Sequence, residues 1–403
     1  MKTLVIIGGG ASGLMAAITA ARETDCHVIL LERQQRLGRK LLATGNGRCN
    51  LTNTHASIEN YHGAQRDFAA YALSRFTSAD ALDFFRSLGL LTVEEYGGRV
   101  YPLSNSANSV LDVLRFAAAH AGVEIRTACP AQDIRAHGRG FEIICESGRL
   151  RADALIVACG GMAGAKLGGV KDGYTLLASL GHSRTKLCGA LVPLLTAPEY
   201  PRALKGVRAD AAVRLCRGER VIAQSAGEVQ FTETGLSGPA IFDISREAAL
   251  AAPGAEIRLN FFRAEERAAL LAMLRARRDS LPELEAGELL TGLLHNRLGR
   301  MCVKYAGLAG TQPLGTLSDR ELERVLDACC GFSLALRGTA GFDSAQVTAG
   351  GVSTAEFDPK TLQSRLVPGL FACGEVLDID GDCGGYNLQW AWASGALAGR
   401  LGT

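Results

Sequence analysis

Three glycines and an acid near the start of the chain have the types and spacing to hold a dinucleotide. Gly8, Gly10 and Gly13 form Gly-x-Gly-x-x-Gly, and Glu32 follows 19 residues after the third glycine. In such a turn Gly8 permits the tight bend, Gly10 lets the backbone approach a pyrophosphate, and Gly13 lets a helix pack closely on a strand. The start of the helix then offers free N–H groups and a partial positive charge to the phosphates. An acid at position 32 suits ribose hydroxyls and disfavours a 2′-phosphate. Elsewhere the chemistry-bearing residues are scattered. Tyr101 and Tyr386 carry phenols able to act as general acids. Arg48 is a cation for developing negative charge or for a loop-fixing salt bridge. Cys49 and Cys383 read either as a redox pair or as small packing groups. The seven His show neither ligand spacing nor a triad.

The elements that must position these residues are legible around them. Thr3–Ile7 is a β-branched, apolar run, Leu14–Arg22 is Ala-rich and helical, and His27–Leu31 is a second apolar run ending at Glu32. The order is strand, glycine turn, helix, strand. Three later segments extend the pattern. Ala131–Arg151 alternates with glycine turns, as in a small β-meander, and runs into Ala154–Gly161, a buried strand ending in glycines. Gly369–Glu375 is another buried strand that ends in glycine and an acid. Gly384–Gln389 opens a helix running to about Leu401, with Trp390 and Trp392 expected in its core. Residues 191–262 contain short alternating runs such as Ala211–Leu215 and Glu256–Asn260. In Glu265–Arg278 the apolar Leu270, Leu271 and Leu274 recur among Arg and Glu at helical spacing, and Asp319–Cys329 is a further helical run.

Composition narrows the function classes. At 403 residues the chain has room for two or three domains, and 48 Gly against 11 Pro indicate tight turns rather than disorder. A net charge of +2 excludes a strongly polyanion-directed chain. Twelve Cys with no Cys-x-x-Cys and no His cluster argue against zinc and for a reducing compartment. Leu4–Ala21 behind Lys2 superficially resembles a signal peptide, but its glycine triplet and strand–turn–helix pattern speak against one. No other stretch is apolar enough to span a membrane. A soluble cytoplasmic protein is expected.

The late strand and helix, with the glycine turn, resemble the glutathione-reductase-type FAD fold in its fumarate-reductase-like branch. There the strand ending in glycine and an acid approaches the ribityl and phosphate portion of the flavin. The following helix points its N-terminus at the pyrimidine edge of the isoalloxazine, where its dipole favours the charge of a reduced flavin. That branch usually has Gly-Asp; here Gly374-Glu375 stands, and the longer acid must reach differently. Gly38–Asn53 (GRKLLATGNGRCNLTN), Gly98–Pro102, Gly235–Pro239, Thr348–Val352 and Gly384–Gln389 together resemble the BaiN/YhiN-like family of NAD(P)/FAD-dependent oxidoreductases from about residue 1 to 402.

This resemblance implies an α/β fold: a Rossmann-type FAD/NAD(P)-binding domain made by both chain ends, with an inserted mixed β-barrel-like and helical region. The expected divisions are 1–190 with 345–403 for the FAD domain, 191–262 with 331–344 for the β-rich insert, and 263–330 for a helical insert. The implied cofactor-binding set is Gly8, Gly10, Ala11, Ser12, Gly13, Glu32, Arg33, Arg39, Lys40, Asn46, Gly47, Arg48, Cys49, Ala131, Ala158, Cys159, Gly160, Asp172, Gly351, Gly374, Glu375, Asn387 and Leu388, with no metal. The catalytic candidates are Arg48, Tyr101 and Tyr386, and Arg99 is a further residue to face substrate. A second Gly-x-Gly-x-x-Gly is absent, so NADH or NADPH would visit the flavin transiently. The implied reaction reduces a C=C bond conjugated to a ketone in a small molecule, as in dehydro bile acids.

Two other readings compete. One is a flavoprotein that modifies or binds RNA, for which Arg258, Arg263, Arg267, Arg275, Arg277, Arg278, Arg297 and Arg300 would form the surface. Interleaved Glu265, Glu266, Asp279 and Glu283 make an ordinary solvated face the alternative. The other is a flavoprotein oxidase or hydroxylase. A small-molecule substrate, no nucleic acid and no membrane is the expected partner set, with the oligomeric state open.

Overall fold

Val, Leu and Ile fill the first strands almost without a polar break, the pattern of strands covered on both faces. In the computed structural model, which describes residues 1–263 and 265–402, they form one parallel sheet. Its strands are β1 (Lys2–Ile7), β2 (Cys26–Leu31), β3 (Glu124–Arg126), β4 (Ala154–Val157) and β5 (Leu370–Ala372), in the order β5-β4-β1-β2-β3. Leu4 of β1 lies opposite Val28 of β2 and Ala154 of β4, and Leu155 of β4 opposite Leu370 of β5. Ala264 and Thr403, which fall within the expected 263–330 and 345–403 segments, lie outside the described residues.

Two helices close over this sheet. Helix α1 (Ala11–Glu23) is buried from Ser12 to Ala20, and α2 (Tyr386–Gly399) from Gln389 to Gly399. Small residues let the two backbones meet. A Cβ on Gly395 would stand 2.5 Å from the Ser12 carbonyl oxygen, and one on Gly399 would stand 2.6 Å from that of Ala16. Trp390 and Trp392 are both buried, and their indole N–H groups donate to the carbonyls of Gly374 and Leu51. Beside the sheet lie the meander Ala131–His137, Gly140–Cys145 and Gly148–Ala152, and a three-stranded sheet of Thr52–Asn53, Arg99–Pro102 and Thr92–Glu95. These elements belong to one compact unit of residues 1–189 and 342–403.

Residues 190–341 form the second unit. It contains a closed six-stranded antiparallel barrel, in the order Leu194–Thr196, Gly235–Ser237, Arg220–Phe231, Arg208–Arg217, Glu256–Asn260, Phe332–Thr339. Helices Arg267–Ser280, Asn296–Tyr305 and Asp319–Cys330 pack into the same core as the barrel, around Phe231, Phe332, Leu274 and Val325. The helical segment therefore has no core separate from the barrel.

The eight arginines that would form an RNA surface are committed internally. Arg258, Arg263, Arg267, Arg275, Arg278 and Arg300 pair with Glu256, Asp210, Asp327, Asp319, Asp279 and Glu288. Arg277 donates to the carbonyls of Leu289 and Thr291, and Arg297 to those of Ala203 and Lys205.

Candidate functional site

The turn from β1 into α1 is built by steric necessity. Gly8 has φ +115°, and a Cβ there would stand 2.3 Å from the Ala158 carbonyl oxygen; one on Gly13 would stand 1.8 Å from that of Gly8. Gly10 differs: a Cβ there would meet no atom within 4 Å. Gly10 is the residue before the helix, and no side chain caps α1. A recess lined by backbone therefore opens at a helix N-terminus, as an anion requires. Ala11 and Ser12 begin the helix. Ala158, Cys159 and Gly160 form the neighbouring rim, where the Ala158 N–H donates to the Ile7 carbonyl at 2.8 Å and Gly160 has φ +69°.

Glu32 ends β2 with its carboxylate buried. One oxygen accepts the Gly9 N–H at 2.9 Å and the other the Gln34 N–H at 2.7 Å. Each oxygen keeps a lone pair for a ligand hydroxyl. Beyond it a groove of about 640 Å³ is lined by Arg33, Gln34, Arg36, Arg39, Pro130 and Glu146, among others. Arg33 is paired with Asp172 at 3.2 Å, and Arg39 with the side chain of Gln34 at 2.9 Å. Ala131 begins the meander strand that follows Pro130.

The loop after β2 and the end of β5 meet through charge. Lys40 Nζ donates to both carboxylate oxygens of Glu375, at 2.9 and 2.7 Å, and the Thr348 N–H donates to the same carboxylate at 2.9 Å. The longer acid thus reaches across to a lysine and a backbone amide. Gly374 has φ +77°, and a Cβ there would press on Ser12 Oγ at 2.4 Å. Gly351 is packed equally tightly, 2.4 Å from the Leu377 carbonyl carbon by the same measure. Gly385, with φ +103°, precedes α2, which also lacks a side-chain cap. The Asn387 side chain brackets its own loop, accepting the Gly381 N–H at 2.8 Å and donating to the Gly381 carbonyl at 2.7 Å. Leu388, partly buried, follows in the first turn.

Of the catalytic candidates, Arg48 is already engaged. Its guanidinium pairs with Glu95, donates to Asn105 and lies 4.0 Å from the centroid of the Tyr101 ring. Tyr101 is buried, and desolvation raises its pKa against the pull of Arg99 and Arg48, so its hydroxyl stays protonated. Tyr386 packs edge-on against Tyr61. Asn46 and Gly47 are exposed at the tip of a left-handed stretch in which Gly45 and Asn46 both have φ 57°. Cys49 is buried and its thiol is pushed up to about 12, which removes the thiolate a redox pair needs. Among the described residues no cysteine is joined in a disulfide.

Three features carry roles that the sequence reading did not assign, although Asn50 was expected to make loop hydrogen bonds and Thr348 lay in a motif segment. Thr348, whose hydroxyl accepts the Ala163 N–H at 2.9 Å, ties the Gly160 rim to Glu375. Asn50 Oδ1 is buried without a hydrogen-bond partner, 2.9 Å from where a Cβ on Gly385 would stand. Ser364, His182 and Glu356 are arranged in the order of a hydrolase triad, at 3.0 and 2.9 Å. Here, however, Ser364 Oγ accepts the N–H groups of Leu366 and Val367, and the His182 side chain has no exposure and stacks on Phe357. The set is a structural clamp. The motif Arg48-Cys49-Asn50 was the available signal for Asn50. For the other two the partners are too distant in sequence.

The recess at Gly10, the acceptor at Glu32 and the orphaned acceptor at Asn50 fit a dinucleotide that ends in a ring bearing an N–H. Among the described residues no cluster of His, Cys, Asp and Glu could hold a metal ion, and no helix is long and apolar enough to cross a membrane.

Comparison with known proteins agrees with that geometry. The chain is 41% identical to a 3-dehydro-bile acid delta(4,6)-reductase of Clostridium scindens, over 99% of this chain and 98% of that protein. It is 30% identical to a ribosomal RNA dihydrouridine synthase of Escherichia coli, over 97% and 95%. In fold it is similar to a 3-ketosteroid delta1-dehydrogenase from Sterolibacterium denitrificans, with a TM-score of 0.51 at 13% identity over 99% of both chains. Residues 2–401 match the HI0933-like protein Rossmann domain, and the chain belongs to that family of FAD-type oxidoreductases.

Proposed function

We propose that the protein reduces a carbon–carbon double bond conjugated to a ketone in a steroid-acid-like small molecule, with NADH or NADPH as the electron source. The observation that carries this reading is the whole-length similarity to the bile acid reductase of Clostridium scindens. When bound, FAD supplies hydride chemistry. Gly8, Gly10, Ala11, Ser12 and Gly13 would hold its pyrophosphate and Glu32 its ribose. Arg33, Arg39 and Ala131 would border the adenosine. Asn46, Gly47, Gly351, Gly374, Asn387 and Leu388 would border the flavin end. Glu375 acts through Lys40, fixing that ammonium at the mouth of the site. Tyr101, kept protonated by burial, supplies a proton to the α-carbon, and Tyr386 is the second phenol within the same loop cluster.

A second reading, reduction of a uracil ring in RNA, is favoured by the relative named as a ribosomal RNA dihydrouridine synthase. Its C5=C6 bond is also conjugated to a carbonyl, so the chemistry is shared. The commitment of the eight insert arginines to internal partners supports the small molecule, because phosphate binding needs free cations.

The test is anaerobic. The FAD-loaded protein is mixed with NADH or NADPH while the visible flavin absorbance is followed, then with a 3-oxo-4,6-diene bile acid or with unmodified ribosomal RNA. Bleaching by a nicotinamide and recovery with the bile acid supports the proposal. Recovery with RNA alone transfers it to the second reading, and no bleaching removes the nicotinamide step.

A further inference from the structure

The cation that sequence reasoning placed at the reaction, Arg48, is consumed by Glu95 and Asn105. Its neighbour Arg99 is not. Arg99 is partly buried, and its guanidinium makes no hydrogen bond or ion pair with any described residue. The reason lies in the hairpin. Arg99 stands directly across from Glu95 in the ladder between Arg99–Pro102 and Thr92–Glu95, yet the Glu95 carboxylate turns to Arg48 instead. The natural partner of Arg99 has been taken. A partly desolvated, unpaired guanidinium is costly, and none of the eight insert arginines is left that way.

Arg99 and Tyr101 alternate on one face of their strand, and the two side chains interact electrostatically. Arg99 Nε lies 3.6 Å from where a Cβ on Gly384 would stand, and the Tyr386 ring lies 3.2 Å from that same point. An unpaired planar cation, a protonated phenol and a second tyrosine ring therefore gather at the glycine pair that precedes α2.

We infer that Arg99 receives the carbonyl oxygen of the substrate and holds the negative charge that collects there during reduction. The inference rests on the conjugate-reduction reading above. In that reaction a hydride, which bound reduced FAD would supply, adds to the β-carbon and the C=C π bond breaks. Its electron pair moves through the α-carbon to the carbonyl oxygen as an enolate, and one proton then adds at the α-carbon. Two C–H bonds form and two electrons are consumed. The oxygen gains charge only along the reaction path, so a fixed donor there acts mainly on the transition state. A guanidinium does so without losing its own proton. A steroid enone and a uracil ring present the same oxygen, so the assignment does not depend on which is used.

The experiment uses the FAD-loaded full chain as wild type, Arg99→Ala and Arg99→Lys. Two readouts are followed after flavin content and melting temperature are shown to match. The first is binding of 4-nitrophenol to the oxidised protein, an aromatic enol whose colour reports its ionisation. The second is reoxidation of dithionite-reduced protein by a 3-oxo-4,6-diene bile acid, with and without added guanidinium ion. The wild type is expected to bind the phenolate, and Arg99→Ala to bind it at least about tenfold more weakly and in neutral form. Reoxidation should slow by about 10²–10³ in Arg99→Ala, the loss typical of one oxyanion donor, with partial recovery from guanidinium or in Arg99→Lys. Equal phenolate binding by wild type and Arg99→Ala, including none by either, overturns the assignment, as does an unchanged reoxidation rate. If the wild type is not reoxidised by the bile acid, the substrate reading fails, and phenolate binding alone decides the role of Arg99.

Discussion

Alanine at Gly10 should abolish cofactor binding without unfolding the protein, whereas alanine at Gly13 should do both. Gly10 has φ −84° and ψ −167°, which any L residue adopts, and its Cβ would meet nothing within 4 Å. Alanine is a poorer N-cap than glycine by about 0.5–1 kcal/mol. It also restricts the unfolded chain, which returns about 0.4–1 kcal/mol. The apoprotein should therefore melt within about 2 °C of wild type. The added methyl fills the recess at the start of α1, where the pyrophosphate would lie. At Gly13 the same methyl would sit 1.8 Å from the Gly8 carbonyl oxygen, and a backbone atom cannot rotate away. A loss of about 3 kcal/mol or more follows. Thermal melts of apoprotein with and without FAD measure both effects. At a thousandfold excess over Kd, FAD adds about 4 kcal/mol. At roughly 2–4 °C per kcal/mol, wild type should shift upward by about 8–16 °C. Gly10→Ala should show almost no shift. A full FAD-dependent shift in Gly10→Ala, or a wild-type melting point in Gly13→Ala, would refute the assignment of the recess.

Other outcomes follow from the same geometry. Glu32→Ala leaves the Gly9 and Gln34 N–H groups without their acceptor and should cost about 2–4 kcal/mol in apoprotein denaturation; a change below 0.5 would count against this account. Burial pushes the Cys49 and Cys373 thiols from about 9 to about 12, so stability is full below pH 9 and falls as pH rises toward 12. Peptide mapping after iodoacetamide treatment of native protein at pH 8 should find both unmodified. Desolvation lowers the His182 pKa, so its contribution is present above about pH 6.5 and lost as pH falls below it. His182→Gln should flatten the acid limb of the melting curve. Ser364, despite its triad-like neighbours, should resist fluorophosphonate labelling in the native protein, and labelling would show that its oxygen is less committed than its two backbone donors indicate.

Local sterics made part of this protein readable in advance. The Gly8–Gly13 turn, its strand and helix, and Glu32 all lie within a single short stretch, where spacing alone encodes who can touch whom. The start of α2 and the buried Trp390 and Trp392 were legible for the same reason. The partners of Arg48 were not, because Glu95 and Asn105 lie 47 and 57 residues away and only the hairpin brings them in. Glu375 and Lys40 are separated by 335 positions, so no periodicity reports their pairing. The insert arginines read as a solvated face with a nucleic-acid surface as the sharper alternative, and the carboxylates and carbonyls that hold them are not encoded in their spacing. The unpaired state of Arg99 is a property of what Glu95 chose, which no residue pattern carries.

The strand order carries a cost during synthesis. β4 is complete when residue 157 leaves the ribosome, but the strand that covers its outer edge, β5, begins at Leu370. Through the intervening translation that edge presents a row of unpaired backbone groups beside an apolar surface, the kind of edge on which nascent chains aggregate. The barrel unit, whose six strands all lie between Leu194 and Thr339, can close during that interval. The Gly374 turn and helix α2 arrive later still, so a site that uses them is complete only after both have emerged. Faster elongation or a chaperone that shields β4 should then raise the yield of loaded protein more than added FAD does.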